Sequence, residues 1–227
     1  MVKVPEWALE HFLAQNYKLE GSIPHLYGGK EKGYFLSMFF SAKRSYLSNK
    51  NKELIKSVKT MASRIKNTEA FEISDKYQIR KINKEDVPQL ARLYKNVFDV
   101  YPFPIFKEVY LSETMEENVI YYGVFKDNKL LAASSAELDL HNLNAEMTDF
   151  ATHPDFLGRK FSYFLLKKME KEMAFMGIKT LYTIARATSH GMNKTFGRLN
   201  YAMGGTLVNN TLIGQTIESM NVWYKNI

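Results

Sequence analysis

The stretch from residue 144 to residue 166 combines two acidic side chains with a glycine turn, and both could take part in chemistry. Its pattern predicts a strand from roughly Leu143 to Thr152, a tight turn through Pro154 and Gly158, and an amphipathic helix from about Lys160. A helix that begins at such a turn has unpaired backbone N–H groups, and these can hold an anion such as a diphosphate. One glycine between a strand and a helix occurs in any α/β protein, so the turn alone leaves the function open.

Further motifs give the turn a more specific interpretation. The sequence Pro154-Asp155-Phe156-Leu157-Gly158-Arg159-Lys160, followed by Leu165-Leu166, resembles the acyl-CoA-binding turn of GCN5-related N-acetyltransferases. A closer resemblance, to bacterial and archaeal β-lysine N-acetyltransferases, extends over roughly residues 71–227. It rests on separated motifs that follow the family's order: Glu146-Met147-Thr148-Asp149, Thr183-Ile184-Ala185-Arg186-Ala187 with Met192-Asn193, Gly204-Gly205 with Asn209-Asn210, and Met220-Asn221-Val222-Trp223-Tyr224.

This resemblance implies an α/β fold with a mixed sheet and acetyl-CoA as the cosubstrate. In the family, the strand that ends here at Thr152 parts from its neighbour, and the pantetheine arm takes the vacant backbone hydrogen bonds. The turn departs from the family pattern at Leu157, Lys160 and Ser162, so weak CoA binding and a non-catalytic CoA-binding protein are alternatives. The residues expected to bind the cosubstrate are Phe150, Ala151, Thr152, Gly158, Arg159, Lys160, Phe161, Ser162 and Asn193.

The acidic pair on the predicted strand supplies the candidate base. The resemblance implies a general-base carboxylate at Glu146. An ammonium group with a pKa of about 10.4 is protonated at neutral pH, so a carboxylate must take its proton before it can attack. Because side chains alternate along a strand, Asp149 is expected on the opposite face, outside the crevice that Glu146 enters. Binding the ammonium of the substrate is the alternative role for Glu146, and Asp149 could share it.

The group that protonates the leaving thiolate has several candidates. Many relatives have a tyrosine where this sequence has Phe196, so Tyr201, Ser189 or a water molecule held by Asn193 would have to replace it. A thiolate is a good leaving group, so an acid could also be dispensable. The chain has no cysteine, which excludes disulfides, thiolate metal sites and an acyl-cysteine intermediate. The amine is therefore expected to attack the thioester directly, and no metal is expected.

The resemblance also implies the acceptor. It suggests a small diamino acid, β-lysine, acetylated at N6 to give a product that accumulates as an osmolyte. An acceptor with two ammonium groups and one carboxylate needs at least one acid and one base in its pocket. Another amine, from a polyamine, a peptide or a protein lysine, is the alternative acceptor. The candidate acceptor residues are Tyr101, Phe103, Arg186, Asn209 and Asn210.

Composition limits the class of protein. A chain of 227 residues with 45% hydrophobic residues can form one or two packed domains. Its net charge of +7 favours anionic ligands such as CoA, and nucleic acid is the other obvious candidate. We expect no nucleic-acid partner, because the basic segment 41–70 has no aromatic interleaving to stack bases. Without an apolar run of about 18 residues or a signal peptide, a cytoplasmic protein with no membrane partner is expected. A homodimer is possible.

The sequence pattern divides the chain into three parts. Residues 1–45 form a partial helix-strand-strand arm, residues 46–70 a basic amphipathic linker helix, and residues 71–227 the acetyltransferase domain. The arm resembles the end of the chain at an offset of 184 residues, which predicts a truncated half repeat unless the matches are chance. Such an arm should pack against the second domain or a partner chain. The matched residues are Phe12, Asn16, Tyr17 and Gly21 with Phe196, Asn200, Tyr201 and Gly205.

The elements that position the candidate residues alternate between strands and helices from residue 71 onward. Asn83, with Asp86 three residues later, predicts the start of a helix. The pair Asp127-Asn128 predicts a hairpin turn. The remaining strands are expected at Ile178 to Ala185, Thr206 to Ile213 and Ser219 to Tyr224, with a helix over residues 188–200.

Overall fold

The computed structural model describes residues 1–65 and 71–227. Within these ranges the strands are β1 (Val2–Pro5), β2 (Lys18–Tyr27), β3 (Glu31–Ser37), β4 (Gln78–Lys81), β5 (Val119–Lys126), β6 (Lys129–Asp139), β7 (Asn144–Thr152), β8 (Thr180–Arg186), β9 (Ala202–Ile213) and β10 (Thr216–Asn226). The α-helices are α1 (Leu9–Ala14), α2 (Ala42–Ser45), α3 (Asn49–Arg64), α4 (Val87–Val97), α5 (Glu108–Glu117), α6 (Phe161–Phe175) and α7 (His190–Arg198).

These strands form one mixed sheet in the order β1-β3-β2-β9-β10-β8-β7-β6-β5-β4. Strands β7 and β8 are parallel and are joined by α6, while the other neighbours are antiparallel. Two neighbouring parallel strands need a crossover connection, and the amphipathic helix after the glycine turn provides it. The predicted α/β fold with a mixed sheet is confirmed.

Helices cover both faces of β4–β7. Helix α6 buries Leu166 and Met169 against one face, and α4 buries Leu90 and Tyr94 against the other. The expected start of α4 is present, because Asn83 forms a reciprocal capping box with Asp86. Helix α5 was not predicted, since only one of its residues is buried and its apolar pattern is weak. Among the described residues, no helix combines the length and the apolar composition needed to cross a bilayer.

The N-terminal arm, residues 1–45, joins the sheet through the pairing of Gly21 on β2 with Gly205 on β9. The sheet then curls back on itself. Phe35 of β3 packs on Tyr182 of β8 with ring centroids 6.4 Å apart, although β2, β9 and β10 separate these strands in the sheet. Apolar side chains of β2 and β3 are buried together with those of β8, β9 and β10. The arm thus packs against strands of the same chain.

Positions 184 residues apart share backbone and ring geometry. We propose, on this basis, that the arm is a half repeat of the segment from the end of β8 to β10; the boundaries of the three parts stay predictions. The matching features are Asn16 and Asn200 at φ 63° and 62°, the ring pairs Phe12–Tyr17 and Phe196–Tyr201 at 5.1 and 5.2 Å, and the strand pairs Val2–Leu36 and Arg186–Met220.

Helix α3 connects the arm to the rest of the chain. Ser48 caps it by accepting a hydrogen bond from the backbone N–H of Asn51. Its apolar side is buried, and the Ala62 carbonyl lies where a side chain at Gly197 of α7 would have to fit. The predicted linker helix reached residue 70, but residues 66–70 lie outside the described ranges.

The contact between Gly21 and Gly205 provides a test of how the arm is docked. A Cβ atom on Gly205 would overlap the carbonyl oxygen of Glu20, so the two backbones would have to separate. We expect Gly205→Ala to lower the free energy of unfolding by roughly 2 kcal/mol and the Tm by about 4–8 °C. Differential scanning calorimetry measures both.

The matched control is Gly191→Ala in α7. A Cβ atom on Gly191 meets no atom within 4 Å. Alanine is also preferred over glycine in helices, so this variant should be neutral or slightly stabilised. Equal Tm values for the two variants would show that the arm does not depend on the close glycine contact.

Candidate active site

Strands β7 and β8 are paired only at their first residues and then part. Beyond Glu146, β7 continues to Thr152 and β8 to Arg186 without further pairing between the two strands. The parting leaves backbone N–H and C=O groups on the facing edges free to bind an extended ligand. The paired residues are Asn144 with Thr180, Ala145 with Leu181, and Glu146 with Tyr182.

A cavity of about 710 Å³ opens at this gap, a volume in the range of small-molecule sites. Its walls come from β7, β8, α7, the loop after α4, and the β9–β10 hairpin. The structure therefore brings the predicted acids, aromatic side chains and arginine to one place. The predicted site residues among its walls are Tyr101, Phe103, Glu146, Asp149, Phe150, Arg186 and Asn210.

A β-bulge brings both acids into this cavity. In the ladder between β6 and β7, Ala133 pairs with Ala151 but Ser135 pairs with Thr148, so β7 holds one extra residue. The bulge lies between Thr148 and Ala151 and includes Asp149, which has a left-handed φ of 53°. The expectation that Glu146 and Asp149 face opposite sides is wrong, because strict alternation holds only in an unbroken strand.

Asp149 is held by two hydroxyl donors. The Ser135 hydroxyl donates to Oδ2 at 2.7 Å, and the Tyr101 hydroxyl donates to Oδ1. Burial raises the pKa of the Asp149 carboxyl, and these hydrogen bonds oppose the rise. Asp149 is only 9% exposed, so most of its side-chain surface is covered by neighbouring protein atoms. It fixes the position of Tyr101, which burial and the charge of Asp149 keep protonated by raising its pKa.

Glu146 lies where β7 and β8 part, next to Tyr182 of β8 and opposite Glu137 of β6. Burial, together with the charge of Glu137, raises the pKa of the Glu146 carboxyl to about 7. The charge of Lys3 and the hydroxyl of Tyr182 act in the opposite direction. A carboxyl group with such a pKa is close to half ionised at neutral pH, which suits a group that accepts a proton during a reaction.

The glycine turn is open and keeps free backbone donors. Gly158 has a left-handed φ of 81°, and a Cβ atom there would meet nothing within 4 Å. The first helical hydrogen bonds of α6 run from Tyr163 to the Lys160 carbonyl. In the described part of the chain, the amides of Phe161 and Ser162 have no backbone acceptor, so they can bind an anion.

Basic side chains flank the same turn. Lys160 takes the left-handed conformation with a φ of 62°, and its ammonium lies 3.3 Å from the ring centre of Phe71. The guanidinium of Arg159 lies 5.5 Å from the ring centre of Phe156. Both cations therefore stand next to the open turn, where they can add charge opposite a diphosphate. The turn fits the diphosphate of CoA; whether Lys160 weakens binding stays a prediction.

Two residues predicted for the site belong to the core instead. All polar atoms of the Asn193 side chain are used: Nδ2 donates to the carbonyls of Arg186 and Ser189, and Oδ1 accepts from Asn221 and Trp223. Asn193 is fully buried, so its side chain has no polar atom left to bind CoA or a catalytic water. Tyr201 is also buried away from the cavity, against Phe196, and cannot protonate the leaving thiolate.

The two asparagines of β9 have different environments. Asn209, at a bulge with a φ of 44°, donates its side-chain amide to the carbonyls of Arg44 and Tyr46. Asn209 therefore holds the end of the arm in place and, unlike the other predicted acceptor residues, does not line the cavity. Asn210 lines the cavity as predicted. Arg186 also lines it, with Nη1 3.6 Å from Oε1 of Glu218.

Sequence reasoning missed several cavity neighbours. Glu137 pairs with Glu146 across β6 and β7, and counting back from the turn between those strands could have found it. Ser135 donates a hydrogen bond to Asp149 at the bulge, and no pattern in the sequence predicts that bulge. Lys3 and Tyr182 meet only because the sheet curls, and their hydrogen bond links residues 179 positions apart.

Comparison with known proteins agrees with this geometry. A model of the acetyltransferase (GNAT) family matches residues 80–201. The chain is 38% identical over 218 residues to the β-lysine N(6)-acetyltransferase of Methanococcus maripaludis, covering 95% of this chain and 78% of that protein. It is 39% identical over 158 residues to the β-lysine N(6)-acetyltransferase of Methanosarcina mazei, covering 70% of this chain and 58% of that protein.

A solved structure shares the fold. The PaiA N-acetyltransferase from Thermoplasma acidophilum, in complex with coenzyme A, matches with a TM-score of 0.54 at 15% identity. The match covers 68% of this chain and 100% of that chain. With the parted strands, the open turn and the family match, the chain belongs to the acetyltransferase (GNAT) family and is an acetyl-CoA-dependent N-acetyltransferase.

Proposed function

We propose that the protein acetylates the N6 amine of β-lysine, with Glu146 as the general base. The observation that carries this proposal is the lining of the cavity, which combines one arginine with several carboxylates. Such a lining complements an acceptor with two ammonium groups and one carboxylate. The names of the relatives from Methanococcus maripaludis and Methanosarcina mazei support the same acceptor. The charged residues are Glu137, Glu146, Asp149, Arg186 and Glu218.

The charges are distributed along the cavity in a way that fits this acceptor. Glu146 lies at the point where the strands part, so the amine to be acetylated would be bound there. Arg186 lies at the other end of β8, beside Glu218. We infer that Arg186 binds the carboxylate of the acceptor, because it is the arginine in the cavity wall.

The proposed chemistry needs few groups from the protein. Acetyl-CoA supplies an activated acetyl thioester. Glu146 removes one proton from the N6 ammonium, and the free amine attacks the thioester directly, since the chain has no cysteine to carry the acetyl group. The second proton that the nitrogen must lose is taken up by the departing thiolate, so the products are the neutral amide and the CoA thiol. Free backbone N–H groups of β7 beyond Glu146 donate hydrogen bonds that stabilise the developing oxyanion. Tyr201 is buried and does not line the cavity, and Phe196 is apolar, so neither position offers the thiolate a tyrosine donor. Of the candidates for the acid, Ser189 lines the cavity.

Acetylation changes the charge of the proposed acceptor. β-Lysine has two ammonium groups and one carboxylate, and loss of the N6 charge leaves a molecule with no net charge. Such a molecule can accumulate without disturbing the ionic balance, which supports an osmolyte role. Because acetyl-CoA is an intracellular metabolite, we place the enzyme in the cytoplasm. A homodimer stays a prediction.

Replacing Glu146 tests the assignment of the base. Glu146→Gln keeps the shape of the side chain and removes its basicity, so we expect kcat to fall by roughly 10²–10⁴-fold. In the unmodified enzyme, kcat/KM should rise as the pH increases through about 7, because only ionised Glu146 can accept the proton. Thiol release from acetyl-CoA measures both quantities, and the chain contributes no thiol of its own.

The control for this variant is Glu53→Gln, at an exposed position of α3. It should leave kcat and the pH profile unchanged. A thermal shift with acetyl-CoA should be kept by both variants, because neither residue lies at the open turn. If Glu146→Gln kept full activity, another group would have to be the base.

Replacing Arg186 tests the acceptor class. Arg186→Ala removes the partner of the acceptor carboxylate, and we expect the KM for β-lysine to rise roughly 10–100-fold. The KM for spermidine, which has no carboxylate, should not change. The matched control is Arg92→Ala on the exposed side of α4. Efficient acetylation of spermidine by the unmodified enzyme, with no change in the KM for β-lysine in the variant, would favour the alternative amine acceptors.

A further inference from the structure

The first strand of the arm extends to the rim of the active site. Lys3 of β1 donates a hydrogen bond from Nζ to the hydroxyl of Tyr182 on β8 at 2.9 Å. The same ammonium lies 4.8 Å from the ring centre of Tyr182. Met1, two residues earlier, is part of the cavity wall. The arm therefore contributes to the site itself as well as to the core beneath it.

This contact determines the direction of the Tyr182 hydroxyl. A lysine ammonium can only donate hydrogen bonds, so the phenol oxygen accepts from Lys3 and keeps its own proton for another acceptor. Tyr182 is the backbone partner of Glu146 at the last pair before β7 and β8 part. Paired residues of neighbouring strands project their side chains to the same face of the sheet, so the Tyr182 side chain lies beside the Glu146 carboxyl, and the Tyr182 hydroxyl lowers the pKa of that carboxyl. Lys3 is thus bonded to the side chain that lies next to Glu146.

The ionisable groups around Glu146 come from several elements. Glu137 of β6 and Asp149 of β7 both disfavour its ionised form, whereas Lys3 favours it. Tyr101, from the loop after α4, remains protonated because burial raises its pKa. Lys3 is the cation that acts on Glu146 among the groups that shift its pKa. Its charge offsets the carboxylates that would otherwise keep a proton on the base.

We propose that Lys3 is a positioning residue for catalysis, which fixes the orientation of the Tyr182 hydroxyl next to Glu146 and places a positive charge beside the base. The proposal rests on the proposed role of Glu146. Lys3 itself is not among the residues that line the cavity. The N-terminal arm is then a functional part of the active site, because it supplies a charge that strands β4–β10 do not supply to this position.

The test is the pH dependence of kcat/KM for Lys3→Met. Without the ammonium, Glu146 holds its proton to higher pH, so the rising limb of the profile should move upward. We expect kcat/KM to fall about three- to tenfold at pH 6 and to approach the unmodified value near pH 9. Lys3→Arg should restore most of the activity at pH 6. Any purification tag belongs at the C-terminus, since Met1 lines the cavity.

Lys32→Met is a matched control within the same arm. Lys32 also lies over a tyrosine, with Nζ 5.0 Å from the ring centre of Tyr34, but Tyr34 pairs with Val4 and Ser22 and not with Glu146. A purely structural role of the arm predicts similar losses for both variants at every pH. Our proposal predicts that only Lys3→Met changes the shape of the profile.

Tyr182→Phe provides a second, independent measurement. It removes the hydroxyl that accepts the hydrogen bond from Lys3, so adding Lys3→Met to it should produce a smaller shift than Lys3→Met alone. An unchanged profile for Lys3→Met, or an equal loss at all pH values, would overturn the proposal while Glu146→Gln still abolished activity. Full activity of Glu146→Gln would instead overturn the assignment of the base, and the role of Lys3 with it.

Discussion

The active site depends on the point at which two parallel strands stop pairing. Up to Glu146 and Tyr182, β7 and β8 satisfy each other's backbone groups; beyond that pair they part. Continued pairing would use the same N–H and C=O groups that the gap leaves for an extended ligand. The cavity, the exposed edge of β7 and the open turn before α6 all follow from this parting.

The chemistry at the gap is controlled by residues from distant parts of the chain. The bulge at Asp149 moves a second carboxylate to the cavity side and uses it to hold Tyr101. Glu137 adds a further negative charge opposite Glu146. These acids suit a dicationic acceptor, but they also make it harder to ionise the base. The charges around Glu146 therefore determine both how well the acceptor binds and how readily the base ionises. The curl of the sheet brings Lys3 close enough to offset part of the negative charge.

Local patterns in the sequence were enough to predict the glycine turn, the helix after it and the strand that carries Glu146, because each depends on residues close together in the chain. The bulge could not be predicted, since Asp149 adopts its left-handed conformation through pairing with β6. Asn193 was misinterpreted for a similar reason: its partners Asn221 and Trp223 lie almost 30 residues away, on β10. The contact of Lys3 required knowledge of the complete sheet.

The glycine contact between β2 and β9 has a consequence for how the enzyme behaves on dilution. A strand supplied by a separate subunit would leave its neighbour as the protein concentration falls below the dissociation constant. Here the corresponding strands belong to one polypeptide, so their effective concentration is fixed by the covalent connection. The architecture of the cavity rim should therefore be the same in a nanomolar assay as in a concentrated stock.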